Sequence, residues 1–218
     1  MTMLNIENIH VAINGIPILR GVSFKLEAGK TTTLIGRNGA GKTTTLRAFM
    51  GLLPMQSGSV TLKGENIGIT PAYKRAHQGI GYAPEDRRLV PEFTVEDNIL
   101  LPSLALGLSV DERASRLEEI YELMPSLAVM RKRPGGGVSG GQGKMVALGR
   151  ALMIARYALV LDEPFQGLAP ALALEYARTL GKVRNKRPDL ALLVTESSPD
   201  LLGEIADYTL QIERGEIQ

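Results

Sequence analysis

Eight residues, Gly36-Arg37-Asn38-Gly39-Ala40-Gly41-Lys42-Thr43, fit the pattern G-x-x-x-x-G-K-[ST]. This pattern constrains the fold more than any other stretch, because its glycine-rich loop needs a strand before it and a helix after it. Thr32-Thr33-Leu34-Ile35 has strand character, and Thr44-Thr45-Leu46-Arg47-Ala48-Phe49-Met50 is compatible with a helix. Gly36, Gly39 and Gly41 let the backbone turn and aim N–H groups at phosphate oxygens. The loop feeds a helix N-terminus, whose free N–H groups and dipole favour an anion. Lys42 supplies a point charge for the terminal phosphates, and the Thr43 hydroxyl suits Mg²⁺. The whole loop, with Arg37, Asn38, Ala40 and Thr44, is the expected nucleotide-phosphate cradle.

At 218 residues the chain is long enough for one well-buried domain with a subdomain. Its 25 basic and 23 acidic residues leave a net charge of +2, which gives no case for a nucleic-acid partner. Without cysteine there is no disulfide framework and no thiolate metal site. No apolar run reaches the length of about 18 residues that a membrane span needs. Met1-Thr2-Met3-Leu4-Asn5 lacks the pattern of a signal peptide. The expected location is the cytoplasm, with membrane contact only through a partner.

Along the chain, Leu4 to Ile13 and Val22 to Leu26 read as strands, as does Gly58 to Leu62. Together they suggest a small antiparallel sheet beside a parallel one. Gly51 is placed to end the loop's helix. Gly79 to Ala83 is a strand stopped by Pro84. Glu85 to about Gly137 reads as mainly helical, with a capping box at Ser109-Val110-Asp111-Glu112 and one face carrying Leu117, Ile120, Tyr121 and Met124. Met145, Leu148 and Leu152 form a second helix face. Ala158 to Leu161 and Ala191 to Val194 are continuous apolar runs, as expected of strands buried on both faces. Tyr208 to Ile212, with Arg214-Gly215, reads as a closing hairpin. The stretch from Pro71 to Arg75, with His77, reads as a surface helix. Alternation of strands and helices gives an α/β fold with a parallel sheet.

Two further motifs carry chemistry. Leu161-Asp162-Glu163-Pro164 ends an apolar strand with two acids, at the sheet edge where open α/β folds bind ligands. Asp162 suits a hold on Mg²⁺, and Glu163 is placed to polarise an attacking water. Val138-Ser139-Gly140-Gly141-Gln142 opens a helix, where Ser139 and the amides of Gly140 and Gly141 form an anion nest. A second cradle is redundant within one chain, so this one is expected to cover a nucleotide bound to another subunit.

With these residues in order, the chain resembles the ATP-binding cassette (ABC) ATPases over almost its whole length. Val138-Ser139-Gly140-Gly141-Gln142 is similar to their signature L-S-G-G-Q. Pro84-Glu85-Asp86-Arg87-Arg88, the stretch Pro91 to Asn98, and Gly167-Leu168-Ala169-Pro170 resemble the smaller ATPase subunit of branched-chain amino acid importers, or of urea and amide importers. The resemblance implies a P-loop core with a parallel sheet, an N-terminal antiparallel β subdomain and an inserted α-helical subdomain. On this reading 1–84 and 156–218 form the core and 85–155 the helical subdomain. It implies ATP and Mg²⁺ as ligands and ATP hydrolysis driving import. The implied partners are integral membrane permease subunits, a second ATPase subunit and, indirectly, a solute-binding protein. The implied location is peripheral, on the inner face of the cell membrane.

Three positions depart from the general family pattern. Glu85 stands where most members carry Gln, and is expected near Mg²⁺ or the attacking water. Glu196 stands where the family often has a switch His, as a carboxylate that opposes phosphate charge. Ile13 aligns with the usual adenine-stacking aromatic and leaves an apolar contact. Glu196 and Ile13 point to a rival, an assembly subunit that binds ATP with little intrinsic hydrolysis; Glu163 argues against it. DNA-repair ATPases need a long coiled-coil insertion, and translation-factor ATPases usually carry two cassettes; neither feature occurs here.

Overall fold

The computed structural model describes residues 1–198, 203 and 205–218. Strands β1 (Thr2–Ile13) and β2 (Ile16–Glu27) are both longer than the sequence pattern implies. They form an antiparallel hairpin through Asn14-Gly15, both at positive φ, as a tight two-residue turn demands. β4 (Ser57–Leu62) and β5 (Glu65–Asn66) complete a four-stranded sheet ordered β2-β1-β4-β5.

The second sheet has six strands. β3 (Thr31–Ile35), β6 (Ile80–Ala83), β7 (Ala158–Asp162), β8 (Ala191–Glu196), β9 (Tyr208–Glu213) and β10 (Glu216–Ile217) run in the order β10-β9-β3-β8-β7-β6. The first five pair in parallel where they are neighbours, and only the closing β9–β10 hairpin is antiparallel. The loop strand β3 therefore lies inside the sheet, between β8 and β9.

Continuous apolar strands make sense because alternate residues feed two different cores. Leu159, Leu161, Leu192 and Val194 pack with Leu148, Leu152, Tyr176 and Leu180 from the helices α6 (Gly140–Leu152) and α7 (Pro170–Lys186). Ala158, Val160, Ala191 and Leu193 pack on the other face with Leu46 and Phe49 of helix α1 (Lys42–Phe49), and with Leu4 and Ile6 of the antiparallel sheet. α1 is capped by Met50, and Gly51 at φ 71° takes the left-handed turn after it.

α2 (Ala72–His77) is the short helix expected around His77, but it is not a pure surface element. Arg75 is buried, with guanidinium hydrogen bonds to the carbonyls of Thr70, Gly68 and Phe49. Burial lowers its pKa to about 10. Phe49 is the last residue of α1, so Arg75 places a cation against the negative end of the helix that follows the phosphate loop.

The segment from Glu85 to Gly137 is less helical than its composition suggests. α3 (Val95–Ala105), α4 (Val110–Leu123) and α5 (Pro125–Met130) are helical, and α4 starts at the Ser109 capping box. Residues 84–94 are irregular instead. Arg87 and Arg88 both adopt left-handed φ values, 60° and 49°. Arg150 of α6 donates to the carbonyls of both. The buried Asn98 side chain ties down the rest, accepting from Val90 N–H and donating to the carbonyls of Val90, Phe93 and Thr94. Side-chain clasps of this kind replace the helical ladder.

Candidate functional site

Three carboxyl ends of parallel strands converge at one edge of the sheet: Ile35 of β3, Asp162 of β7 and Glu196 of β8. The loop from Gly36 to Gly41 sits over this edge and leads into α1. Gly39 and Gly41 have φ values of 82° and 115°. Gly36 is required for a different reason, since a Cβ there would lie 2.5 Å from the Ile212 carbonyl oxygen.

Lys42 folds back under this loop and is 3% exposed. Its Nζ donates to the carbonyls of Gly36 at 2.5 Å and Arg37 at 3.2 Å, and to Ser197 Oγ at 3.3 Å. It also lies 3.0 Å from Glu163 Oε1. Glu163 is buried and left-handed, at φ 44°.

Asp162 is held from three sides. Thr43 Oγ1 and Thr195 Oγ1 donate to its Oδ1 at 3.1 and 2.9 Å, and Tyr82 Oη donates to its Oδ2 at 3.2 Å. Burial raises the Asp162 pKa, and the neighbouring Glu163 adds to the rise, while the three hydroxyls oppose it. Burial first, and then the same carboxylate, raise the Tyr82 hydroxyl beyond its ordinary range. Among the described residues no group of three or more His, Cys, Asp or Glu side chains could hold a metal. The Thr43 hydroxyl and the Asp162 carboxylate form a hard oxygen pair. Such a pair fits Mg²⁺, which is commonly held by one or two protein oxygens plus phosphate and water.

A cleft of about 360 Å³ runs along the loop. Ile13, Ile18, Glu85, Glu163 and Gln166 line it together with Asn38, Gly39, Gly41, Lys42, Thr43 and Thr44 of the loop and helix start. Ile13, at the tip of the β1–β2 hairpin, is 39% exposed.

The structure does not bring the Ser139 segment into this cleft. Ser139 caps α6, accepting from Gln142 N–H through Oγ, while Gln142 Oε1 accepts from Ser139 N–H. Ser139 and Gly140 are exposed, and a Cβ on Gly141 would strike the Leu172 side chain.

Glu196 also differs in placement from a group aimed at phosphate. Its Oε1 accepts from Phe165 N–H at 2.8 Å, on the turn after Glu163. Burial first, then the Glu163 charge, pushes its pKa up to about 7. The next residue, Ser197, faces the loop lysine instead. Its Oγ lies 3.1 Å from Asn38 Oδ1 and 3.3 Å from Glu163 Oε2.

The ABC transporter family pattern matches residues 19–166. This chain belongs to that family. It is the ATP-binding, ATP-hydrolysing subunit of an ABC transporter. It is 32% identical to the high-affinity branched-chain amino acid transport ATP-binding protein BraG of Pseudomonas aeruginosa, over 99% of this chain and 91% of that protein. It is 30% identical to the lipopolysaccharide export system ATP-binding protein LptB of Escherichia coli, over 90% and 80%. It is 36% identical to the Fe(3+) ions import ATP-binding protein FbpC 3 of Rhodococcus jostii, over 91% of this chain and 56% of that one. The crystal structure of an ABC-transporter cassette in its ADP conformation superimposes with a TM-score of 0.88 at 28% identity, covering 100% of this chain and 90% of that one. ATPase subunits of this family work with membrane permeases. Among the described residues no helix is long and apolar enough to cross a membrane.

Several residues of this site carry no signal in the motifs. Tyr82, Thr195 and Ile18 reach it through sheet register alone. Thr195 pairs with Asp162 across β7–β8, and Tyr82 stands near the end of the neighbouring strand β6. Only a correct strand order would have pointed to them.

Proposed function

We propose that this chain energises import of branched-chain amino acids through a separate permease, hydrolysing MgATP at the edge of its parallel sheet. One observation carries the chemistry. Lys42, Thr43 and Glu163 line one cleft, Lys42 paired with Glu163 and Thr43 hydrogen-bonded to the buried Asp162. In this reading the loop amides of Gly36, Arg37, Asn38, Gly39, Ala40, Gly41, Lys42, Thr43 and Thr44, together with the Lys42 ammonium, hold the phosphates. Thr43 and Asp162, with Glu85 as a further oxygen donor, would hold Mg²⁺, which would supply charge neutralisation for the phosphates. Glu163 orients and deprotonates the attacking water. Ile13 and Ile18 give the adenine an apolar edge.

Ser139, Gly140, Gly141 and Gln142 belong to the nucleotide on a second ATPase subunit, which fits the exposure of Ser139 and Gly140 and the absence of all four from the lining of this chain's own cleft. Residues 1–84 and 156–218 act as the core, and 85–155 as the helical subdomain that meets the permease. The working location is the inner face of the cell membrane. Import of branched-chain amino acids is favoured by the near end-to-end match with BraG, together with Pro84-Glu85-Asp86-Arg87-Arg88 and Gly167-Leu168-Ala169-Pro170.

The test is to purify the chain with its membrane partners and reconstitute the complex in vesicles. ATP-dependent accumulation of leucine or valine, dependent on a solute-binding protein, is the expected result. Accumulation of urea or an amide reassigns the solute and keeps import. Accumulation of metal ions alone overturns the amino-acid assignment, and extraction of lipid overturns the import reading. The second reading, an assembly subunit with little turnover, draws on Ile13, which offers adenine no ring. It predicts nucleotide binding without hydrolysis in the same vesicles.

A further inference from the structure

Lys144 is a half-buried cation that the roles above leave unused. It stands in the second turn of α6, whose N-terminus carries Ser139-Gly140-Gly141. Its Nζ donates to the backbone carbonyl of Glu163 at 2.5 Å. Burial pulls its pKa down; the charges of Glu196, Glu85 and Glu163 oppose that, and Arg87 adds to it. A desolvated ammonium among three carboxylates is therefore spending its hydrogen bond on a carbonyl.

That carbonyl belongs to a strained residue. Glu163 is left-handed, at φ 44°, a conformation that persists in a non-glycine residue only where the surroundings enforce it. Four neighbours do so. Glu163 N–H points at Thr195 O and Thr195 Oγ1, each at 3.1 Å. Phe165 N–H is taken by Glu196. The Glu163 carbonyl accepts a longer bond from Gln166 N–H, 3.3 Å, and the shorter, charge-assisted one from Lys144. Pro164 fixes its own φ, so release of that carbonyl lets the strained Glu163 backbone relax about its φ and ψ, and the side chain moves with it.

We infer that Lys144 is a positioning residue, fixing through the Glu163 carbonyl the backbone from which the water-activating carboxylate hangs. The inference rests on the role of Glu163 proposed above. It also joins two places that act on different nucleotides. Ser139 and Lys144 are five residues apart on one helix, about 7.5 Å of axial rise. A displacement of that helix by the partner's nucleotide is thus delivered to this chain's own Glu163.

The test uses the full-length protein and single-turnover hydrolysis with protein in saturating excess over MgATP, with equilibrium binding of a fluorescent ATP analogue in parallel. Lys144→Met is expected to slow hydrolysis about 10- to 100-fold, the range reached when a catalytic group is misplaced by up to 1 Å. Its nucleotide affinity stays within about two-fold of the parent, because Lys144 touches no nucleotide-binding group. Lys144→Arg, which keeps a charged donor, restores most of the rate. A Lys144→Met rate within two-fold of the parent overturns the inference, as does an equal loss of rate and affinity, or a folded Lys144→Arg that restores nothing. If Lys144→Met does not fold, Lys144→Gln is the substitute: the neutral donor predicts an intermediate loss of rate at unchanged affinity. Glu163→Gln separates this from the underlying reading. Undiminished hydrolysis by Glu163→Gln removes the role of Glu163 itself, whereas its silence beside an active Lys144→Met removes only the role of Lys144.

Discussion

Lys42 Nζ and Glu163 Oε1 lie 3.0 Å apart, with side-chain exposures of 3% and 8%. The cation assigned to the phosphates and the carboxylate assigned to the water thus hold each other in a shared, nearly dry site. Two buried charges stay ionised together only if each is paired and hydrogen bonded. Lys42 meets that condition with two loop carbonyls, and Glu163 with Ser197. Removal of either partner then has two consequences, one for nucleotide and one for fold.

Lys42→Ala is expected to lower ATP affinity about 10- to 100-fold, the value of one or two charge-assisted hydrogen bonds. It is also expected to destabilise the protein by about 3 kcal/mol, because Glu163 is left buried and unpaired. Isothermal titration with MgATP and urea unfolding measure the two effects separately. An affinity equal to that of the parent, in folded protein, rules out the phosphate role of the loop.

Glu163→Gln keeps a hydrogen-bonding partner for Lys42 without the negative charge. ATP binding should persist, hydrolysis should fall at least about 100-fold for loss of a general base, and an ATP-bound dimer should accumulate. Sizing chromatography with and without ATP reads the last point. Absence of any ATP-dependent dimer argues against the placement of Ser139 on a second subunit's nucleotide.

Much of this fold is legible in the sequence because its strongest signals are local. A glycine loop between strand and helix, two apolar runs and a Ser109 capping box each fix an element without reference to the rest. What is illegible depends on long-range contact. Arg75 looks like a surface residue until the carbonyl end of α1 is brought beside it. Residues 84–94 look helical by composition, but Arg150 and Asn98 hold their carbonyls in turns. At the end of β8 the alternation that decides which side chain faces the loop breaks down. Glu196 and Ser197 could not be ranked until their hydrogen bonds were seen.

Glu196 gives the stability curve a defined pH dependence. Its folded pKa, about 7, lies above the ordinary value of 4.5, so the folded state holds this proton more tightly than the unfolded chain does. The resulting stabilisation is fully present below pH 4.5 and is lost as pH rises through about 7. Glu196→Gln, which still accepts from Phe165 N–H, removes this loss. The variant is expected to gain up to about 3 kcal/mol over the parent at pH 8 and nothing at pH 4, at about 1.4 kcal/mol per pKa unit. Urea unfolding across that range is the measurement. Equal curves for the two proteins place the titration elsewhere.

Ser197 is the group at the end of β8 expected to answer to nucleotide. Its Oγ accepts from Lys42 Nζ, and its one proton goes to either Asn38 Oδ1 or Glu163 Oε2. Approach of a terminal phosphate to Lys42 brings a third, more negative acceptor to that hydroxyl. The proton is then drawn from Glu163, which is left free to take one from water, and the hydroxyl becomes a donor to developing charge. A preorganised donor of this kind is typically worth about 10²–10³ in rate when ideally placed. The distances of 3.1 to 3.3 Å argue for the lower end or below, so Ser197→Ala is expected to cost about 10-fold in kcat. Ser197→Thr, which keeps the hydroxyl, should retain more activity than Ser197→Ala. Steady-state hydrolysis by the three proteins, beside Glu196→Gln, separates the two neighbours. A larger loss of rate for Glu196→Gln than for Ser197→Ala at pH 8 would return the switch position to Glu196, acting through its hold on Phe165.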